Sequence, residues 1–265
     1  MQFQNGGIGF FDSGIGGLSV LATCKNILSD LPFYYLGDNA RAPYGNLTVE
    51  KIRAYTYEAL SLFQKLQPRA VVLACNTVTA VCVEEMRRLF PFPIIGTEPA
   101  VLPAMRNGGT VGVLATQATQ ASARFICLKE RAESCEGAGR LLSLPCPQLA
   151  GLIEENVDNP KFSYAPYLPK AKLNGVVLGC THYVFIKKQI EDFYGCPAYD
   201  GNEGVACRVK ALVKNAPNPA NGGGLNVVNF PFSALSFSDK KSPIFFLGGQ
   251  NIHNKRIYEQ MFVLK

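Results

Sequence analysis

Histidine is scarce in this chain: His182 and His253 are the only two among 265 residues. No Cys-x-x-Cys pair occurs either, so no metal site is expected from the ordinary zinc ligands. No apolar run approaches the roughly 20 residues that cross a bilayer. The opening MQFQNGGIGFFDSG lacks a basic start, a long apolar middle and a small-residue cleavage site. No membrane association is therefore expected, and the reading is of a cytoplasmic protein. Charged residues are only 17% of the chain, with no basic tract interleaved by aromatics; KK at 187–188 and 240–241 and RR at 87–88 are isolated pairs. That argues against a nucleic-acid partner. The net charge of +6 gives at most a weak field for an anionic small molecule. A dinucleotide fingerprint in DSGIGG needs a third glycine at position 19, where Ser19 stands, and no Gly-Lys-Ser/Thr follows. Nucleotide phosphate binding is therefore not expected.

What the chain does have is 48% hydrophobic residues and enough length for one large or two medium domains. Short aliphatic runs alternate with helical patterns. Strands are expected at 8–11, 33–37, 70–74, 93–96, 110–114, 141–144, 175–179 and 225–230. Helices are expected at 16–29, 48–66, 77–90, 118–133, 183–193, 203–215 and near 252–263. This order argues for parallel sheets with helices on both faces. At NAPNPANGGG, 215–224, the alternation breaks down in a loop of turn formers.

Two phrases occur twice. GGIGFFDS (6–13) resembles GGTVGVLAT (108–116), which sets Ser13 against Thr116. VVLACNT (71–77) resembles VVLGCTH (176–182), which sets Cys75 against Cys180. The offsets agree within a small insertion, which favours an internal duplication. In open α/β sheets ligands bind beyond the carboxyl ends of the strands. Two similar halves facing each other would bring both thiols to one cleft.

Each motif has a plainer reading. Asp12 and Ser13 either cradle a ligand at a strand end or cap the helix that follows. Cys75 is either reactive or a buried thiol ahead of an Asn or Thr helix cap. Cys180 lies two residues from His182 at a helix start, where neighbours of that kind tune a thiol. Tyr44 and Gly45, in DNARAPYG (38–45), belong either to a polar loop or to the cleft. Cys24, Cys82, Cys127 and Cys207 read as packing; Cys135, Cys146 and Cys196 lie near loops without an evident partner. Nine cysteines in a long chain read as reduced thiols.

DSGIGG at 12–17, APYG at 42–45, ACNT at 74–77 and GCTH at 179–182, in this order, resemble the glutamate racemase family of cofactor-independent amino-acid racemases. The resemblance runs from about residue 8 to about 215. It implies two pseudo-symmetric, flavodoxin-like α/β domains, 1–97 plus 208–265 and 98–207, with the site between them. It implies interconversion of L- and D-glutamate, supplying D-glutamate for peptidoglycan, by a homodimer. Carried over by position, Cys75 would deprotonate D-glutamate, assisted by Asp12, and Cys180 would deprotonate L-glutamate, assisted by His182. Glu154 or its neighbour Glu155 would support His182. Ser13, Tyr44, Gly45, Asn76, Thr77, Thr116, Thr119, Thr181 and His182, with Asp12, would bind substrate.

A two-base reaction agrees with paired thiols, because a proton leaves one face of Cα and another arrives on the opposite face. Closure of the domains around glutamate is expected to exclude water. Val184 stands where the family has proline, and the tail has no clear Ser-Gly-Asp segment. With Asp12 so near the start, activation by a peptidoglycan precursor is not expected. Rival readings are an aspartate racemase on the same scaffold, a non-catalytic two-lobed amino-acid-binding protein, and a cysteine hydrolase needing only one thiol.

Overall fold

The strand IGFFD, β1 (Ile8–Asp12), is buried along its whole length because both its faces are covered. Its side chains alternate between two cores. Phe11 joins Tyr34, Leu36, Val71 and Leu73 on one face, whereas Ile8 and Phe10 join Phe33, Tyr35, Ala70 and Val72 on the other. That period of two is what a pleated strand imposes. Each fully buried side chain of this size contributes about 1.5–3 kcal/mol of hydrophobic stabilisation.

In this computed structural model the described residues are 6–28, 31–106, 108–134, 139–215, 235–237, 243–249 and 251–263. After β1 come β2 (Phe33–Gly37), β3 (Ala70–Leu73), β4 (Ile94–Gly96), β5 (Thr110–Ala115) and β6 (Arg140–Pro145). They are followed by β7 (Gly175–Leu178), β8 (Ala198–Tyr199), β9 (Leu235–Phe237) and β10 (Ile244–Leu247). Two sheets result, one ordered β4-β3-β1-β2-β10-β9 and the other β6-β5-β7-β8.

Read from its other edge, the second sheet is β8-β7-β5-β6, the same order as β4-β3-β1-β2 in the first. The duplication expected from two repeated phrases therefore extends to four strands in each half. This is the doubly wound arrangement, with its switch point between β1 and β3 and again between β5 and β7. All described pairings are parallel except β9 on β10. The expected parallel sheets are therefore present, with one antiparallel strand added at an edge of the first.

Helices α1 (Gly17–Ile27), α9 (Asn202–Asn215) and α10 (Asn251–Tyr258) cover one face of the first sheet. Helices α2 (Val49–Gln64) and α3 (Asn76–Leu89) cover the other. On the second sheet, α4 (Val101–Met105) and α6 (Ala123–Glu133) oppose α7 (Leu149–Asn156) and α8 (Lys187–Tyr194). The single helix expected at 118–133 is split, because the Ser122 hydroxyl caps α6 through the Phe125 N–H and ends the short α5 (Gln117–Gln120) before it. The expected strand 225–230 lies outside the described residues. Two tail strands are seen, β9 and β10, and β10 pairs with β2 from Ile244↔Phe33 to Leu247↔Leu36.

Candidate active site

Cys75 follows β3 and occupies the N-cap position of α3; Cys180 follows β7 and does the same for a 3-10 helix, Thr181–Ile186. Neither helix start has a side-chain cap, so the reading of Asn76 or Thr77 as a cap is set aside. Both thiols are free and buried, at 6% and 8% exposure. Because the first N–H groups of a helix have no partner within it, each sulfur sits beside backbone donors.

Ser13 and Asp12 come from the end of β1. The Ser13 hydroxyl lies 3.5 Å from Cys75 Sγ. Asp12 does not cap α1, whose N-cap is Gly16; its Oδ1 accepts instead from the Gly14 N–H at 2.8 Å. Its Oδ2 accepts from the Thr181 hydroxyl of the other half at 3.3 Å. Burial raises the Asp12 pKa above its ordinary value, with His182 pulling the other way. Burial, with the nearby Asp12 charge, also pushes the Cys75 thiol up to about 12. The N-terminus of α3 favours a thiolate, but here desolvation outweighs it.

Around Cys180 the partners differ. His182 Nδ1 lies 3.6 Å from its sulfur and His182 Nε2 lies 2.6 Å from Glu154 Oε1. The choice between the two glutamates is thereby made: Glu154 is the partner and Glu155 is exposed. Burial opposes a charge on His182, yet the contacts with Cys180 and Glu154 outweigh it and raise its pKa well above the ordinary value. Burial likewise opposes the Glu154 charge, but His182, the Ile15 N–H and Asn39 hold its pKa below the ordinary value.

The halves touch through small groups. A methyl on Gly14 would fall 1.6 Å from Glu154 Oε1, and one on Gly16 would fall 2.5 Å from Thr181 Oγ1. Only glycine lets the turn after β1 approach Thr181, His182 and Glu154 this closely. Thr77, Thr116 and Thr119 form a hydroxyl cluster across the halves, with Thr116 3.0 Å from each of the other two. Gly45 packs against Thr116, where an added methyl would meet its Cγ2 at 2.8 Å. Tyr44 is buried, but its hydroxyl donates to Asp38, which also accepts from Arg41. Asn76 is 6% exposed at the start of α3.

Sequence reasoning missed Asn39, which donates to Glu154 Oε2 at 3.1 Å, and Asp38 behind Tyr44. Their signal is the DNARAPYG stretch, which suits a polar loop and a cleft wall equally. Two other readings are corrected. Cys127 and Cys207 are exposed rather than packed, because they point away from the helix faces that meet the sheets. Cys146 is buried with its thiol donating to the Leu144 carbonyl. Cys24 and Cys82 are buried as expected, and Cys135 lies outside the described residues. Among the described residues no group of three or more His, Cys, Asp or Glu is placed to hold a metal ion. No described helix is long and apolar enough to cross a membrane.

The model of one family, described as Asp/Glu/hydantoin racemase, matches residues 16–208. The chain belongs to that family. Among its curated members, the glutamate racemase of Clostridium novyi (strain NT) is 37% identical over 220 residues, covering 78% of this chain and 84% of that protein. The glutamate racemase of Clostridium botulinum (strain Okra / Type B1) is 36% identical over 226 residues, covering 82% and 87%. Among solved structures of the family, Escherichia coli glutamate racemase in complex with L-glutamate and the activator UDP-MurNAc-Ala is similar. It shows a TM-score of 0.71 and 30% identity over 81% of this chain and 85% of its own. Thermus thermophilus glutamate racemase in complex with β-chloro-D-alanine gives 0.71 and 28%, over 98% and 94%.

Proposed function

We propose that the protein is a cofactor-independent glutamate racemase in which Cys75 and Cys180 work on opposite faces of one Cα. The observation that carries this reading is the placement of two free, buried thiols at equivalent strand ends of the two halves, with Cys180 near enough to contribute to the rise in the Cys75 pKa. A binding protein needs no such pair, and a cysteine hydrolase needs only one member.

The steps balance without a further reactant. One sulfur, as thiolate, takes the Cα proton and becomes a thiol. The opposed thiol then gives its proton to the other face and becomes the thiolate. Asp12, whose charge acts on Cys75, and the His182–Glu154 pair, in contact with Cys180, redistribute protons between turnovers. The barrier lies in the weak acidity of a Cα–H beside a carboxylate, so donors must cradle that carboxylate as charge builds. The free N–H groups at the start of α3, with Asn76, Thr77 and Thr181, provide them. Ser13, Thr116 and Thr119 complete the polar lining, and Tyr44 with Gly45 shapes its wall. The same reading carries domains of 1–97 plus 208–265 and 98–207, and a homodimer acting in the cytoplasm and supplying D-glutamate to peptidoglycan synthesis; its support is the family resemblance.

The test is incubation with L-glutamate in D2O without added cofactor. Cα deuteration and decay of optical rotation toward the racemate are expected; neither appearing would remove the proposal. Aspartate, the other amino acid in the family's description, is run in parallel, and a strong preference for it would change the substrate assignment.

A further inference from the structure

Glu154 belongs to α7 of the second half, yet two of its hydrogen bonds come from the first. The Ile15 N–H donates to Oε1 at 2.7 Å and Asn39 Nδ2 donates to Oε2 at 3.1 Å. Asn39 is half-buried and spends only its NH2 group there; its Oδ1 is buried with no partner among the described residues. A second amide is in the same position. Asn254 of α10 is 0% exposed, and neither its Nδ2 nor its Oδ1 has a partner among the described residues.

These lone atoms converge on one place. A methyl built on Gly37 would lie 2.9 Å from Asn254 Nδ2, 3.0 Å from Asn39 Oδ1 and 2.4 Å from the Gly14 carbonyl. A donor and an acceptor, each without a partner, thus flank the same spot. The missing side chain of Gly37 leaves them facing each other across it. An unpaired buried polar group costs about 1–3 kcal/mol, so an arrangement that leaves two of opposite kind side by side invites their pairing. The Gly14 carbonyl already accepts from the Tyr35 hydroxyl at 2.6 Å, whereas Asn39 Oδ1 accepts from no group among the described residues, so Asn39 is the acceptor whose pairing gains most.

We propose that Asn254 and Asn39 are positioning residues: Asn254 Nδ2 donates to Asn39 Oδ1, which fixes the Asn39 NH2 on Glu154, which in turn orients His182 beside Cys180. The inference rests on the racemase reading above. It links the C-terminal helix to the chemistry at Cys180 through side chains alone. It also makes the hold on Glu154 depend on contact between the halves, because Asn39 and Ile15 belong to one and Glu154 to the other.

The experiment compares Asn254→Leu and Asn39→Ala with the wild type in three measurements. These are kcat for glutamate, the thermal midpoint, and the pH at which His182 loses its proton, followed by imidazole 15N NMR. With only two histidines in the chain, His253→Gln completes the assignment. Asn254→Leu is expected to change the midpoint little, because the hydrocarbon it buries offsets the lost hydrogen bond to Asn39. Its kcat should fall about fivefold, as for one neutral hydrogen bond, and Asn39→Ala should lose about tenfold or more, its partner being charged. Both should lower the pH of His182 deprotonation. An unchanged kcat and imidazole titration in both variants overturns the proposal. So does a kcat that falls only in step with the midpoint while the titration stays put. If Asn254→Leu does not fold, Asn39→Ala, in a surface loop, decides by the same measures. A wild type that fails to racemise glutamate removes the racemase reading, and the imidazole titration still tests the positioning chain.

Discussion

His182 stands between two partners, its Nε2 2.6 Å from Glu154 Oε1 and its Nδ1 3.6 Å from Cys180 Sγ. Replacing Glu154 by Gln keeps the shape and removes the charge. We expect kcat to fall about tenfold to a hundredfold, as for a lost hydrogen bond between charged groups. The pH of His182 deprotonation should fall with it. Glu155→Gln, one residue along and exposed, should leave both unchanged. Steady-state kinetics and imidazole NMR on the two variants make the comparison.

The same pair fixes the pH dependence of stability. The Glu154 pKa is lowered in the folded protein, so its contribution is full above about 4.5 and fades as pH falls through the folded value. The His182 pKa is raised, so its contribution is full below about 6.5 and fades as pH rises through the folded value. The unfolding free-energy gap between wild type and a Glu154→Gln/His182→Gln double variant should therefore be widest between those limits. Denaturant titrations across the pH range measure it, and a gap that widens on the alkaline side would contradict the assignment.

Cys75→Ala and Cys180→Ala should each end turnover in both directions, since each thiol is base one way and acid the other. Near-normal turnover in either variant would exclude the two-base scheme. Cys82→Ala is the contrast: its side chain is 3% exposed in the core between β3 and α2, so stability should drop by about 1 kcal/mol with turnover kept.

Alkylation should follow burial. Cys127 and Cys207 are exposed and should react with iodoacetamide first. Cys75, with its thiol pushed up to about 12, holds only about one part in ten thousand as thiolate at pH 8 and should react far more slowly. Peptide mapping by mass spectrometry gives the order.

Gly14→Ala places a methyl where Glu154 Oε1 now sits, 1.6 Å away. Turnover should fall at least as far as in Glu154→Gln, because the carboxylate must leave its place. Gly204→Ala, where an added methyl meets nothing within 4 Å, should be without effect.

Much of this architecture was legible because parallel strands carry their own signature. VVLAC and VVLGC announced buried strands ending in thiols, and the repeated order announced two like halves. Which glutamate meets His182 was not legible, since neighbouring residues on a helix point about 100° apart and only the docking of α7 decides. Asn39 and Asn254 were invisible for a different reason. An amide's partner far along the chain leaves no local pattern, whereas a buried strand does. The place of β10 was hidden too, because a four-residue edge-ward strand in an aromatic tail has no periodicity long enough to read.

The pairing of β10 with β2 also sets an order for synthesis. The second sheet is contiguous between Thr110 and Tyr199, so all its strands have emerged from the ribosome while β2 still waits for Ile244–Leu247. During that interval the nascent chain carries an open, apolar strand edge. Chaperone occupancy should therefore concentrate on the half that was made first.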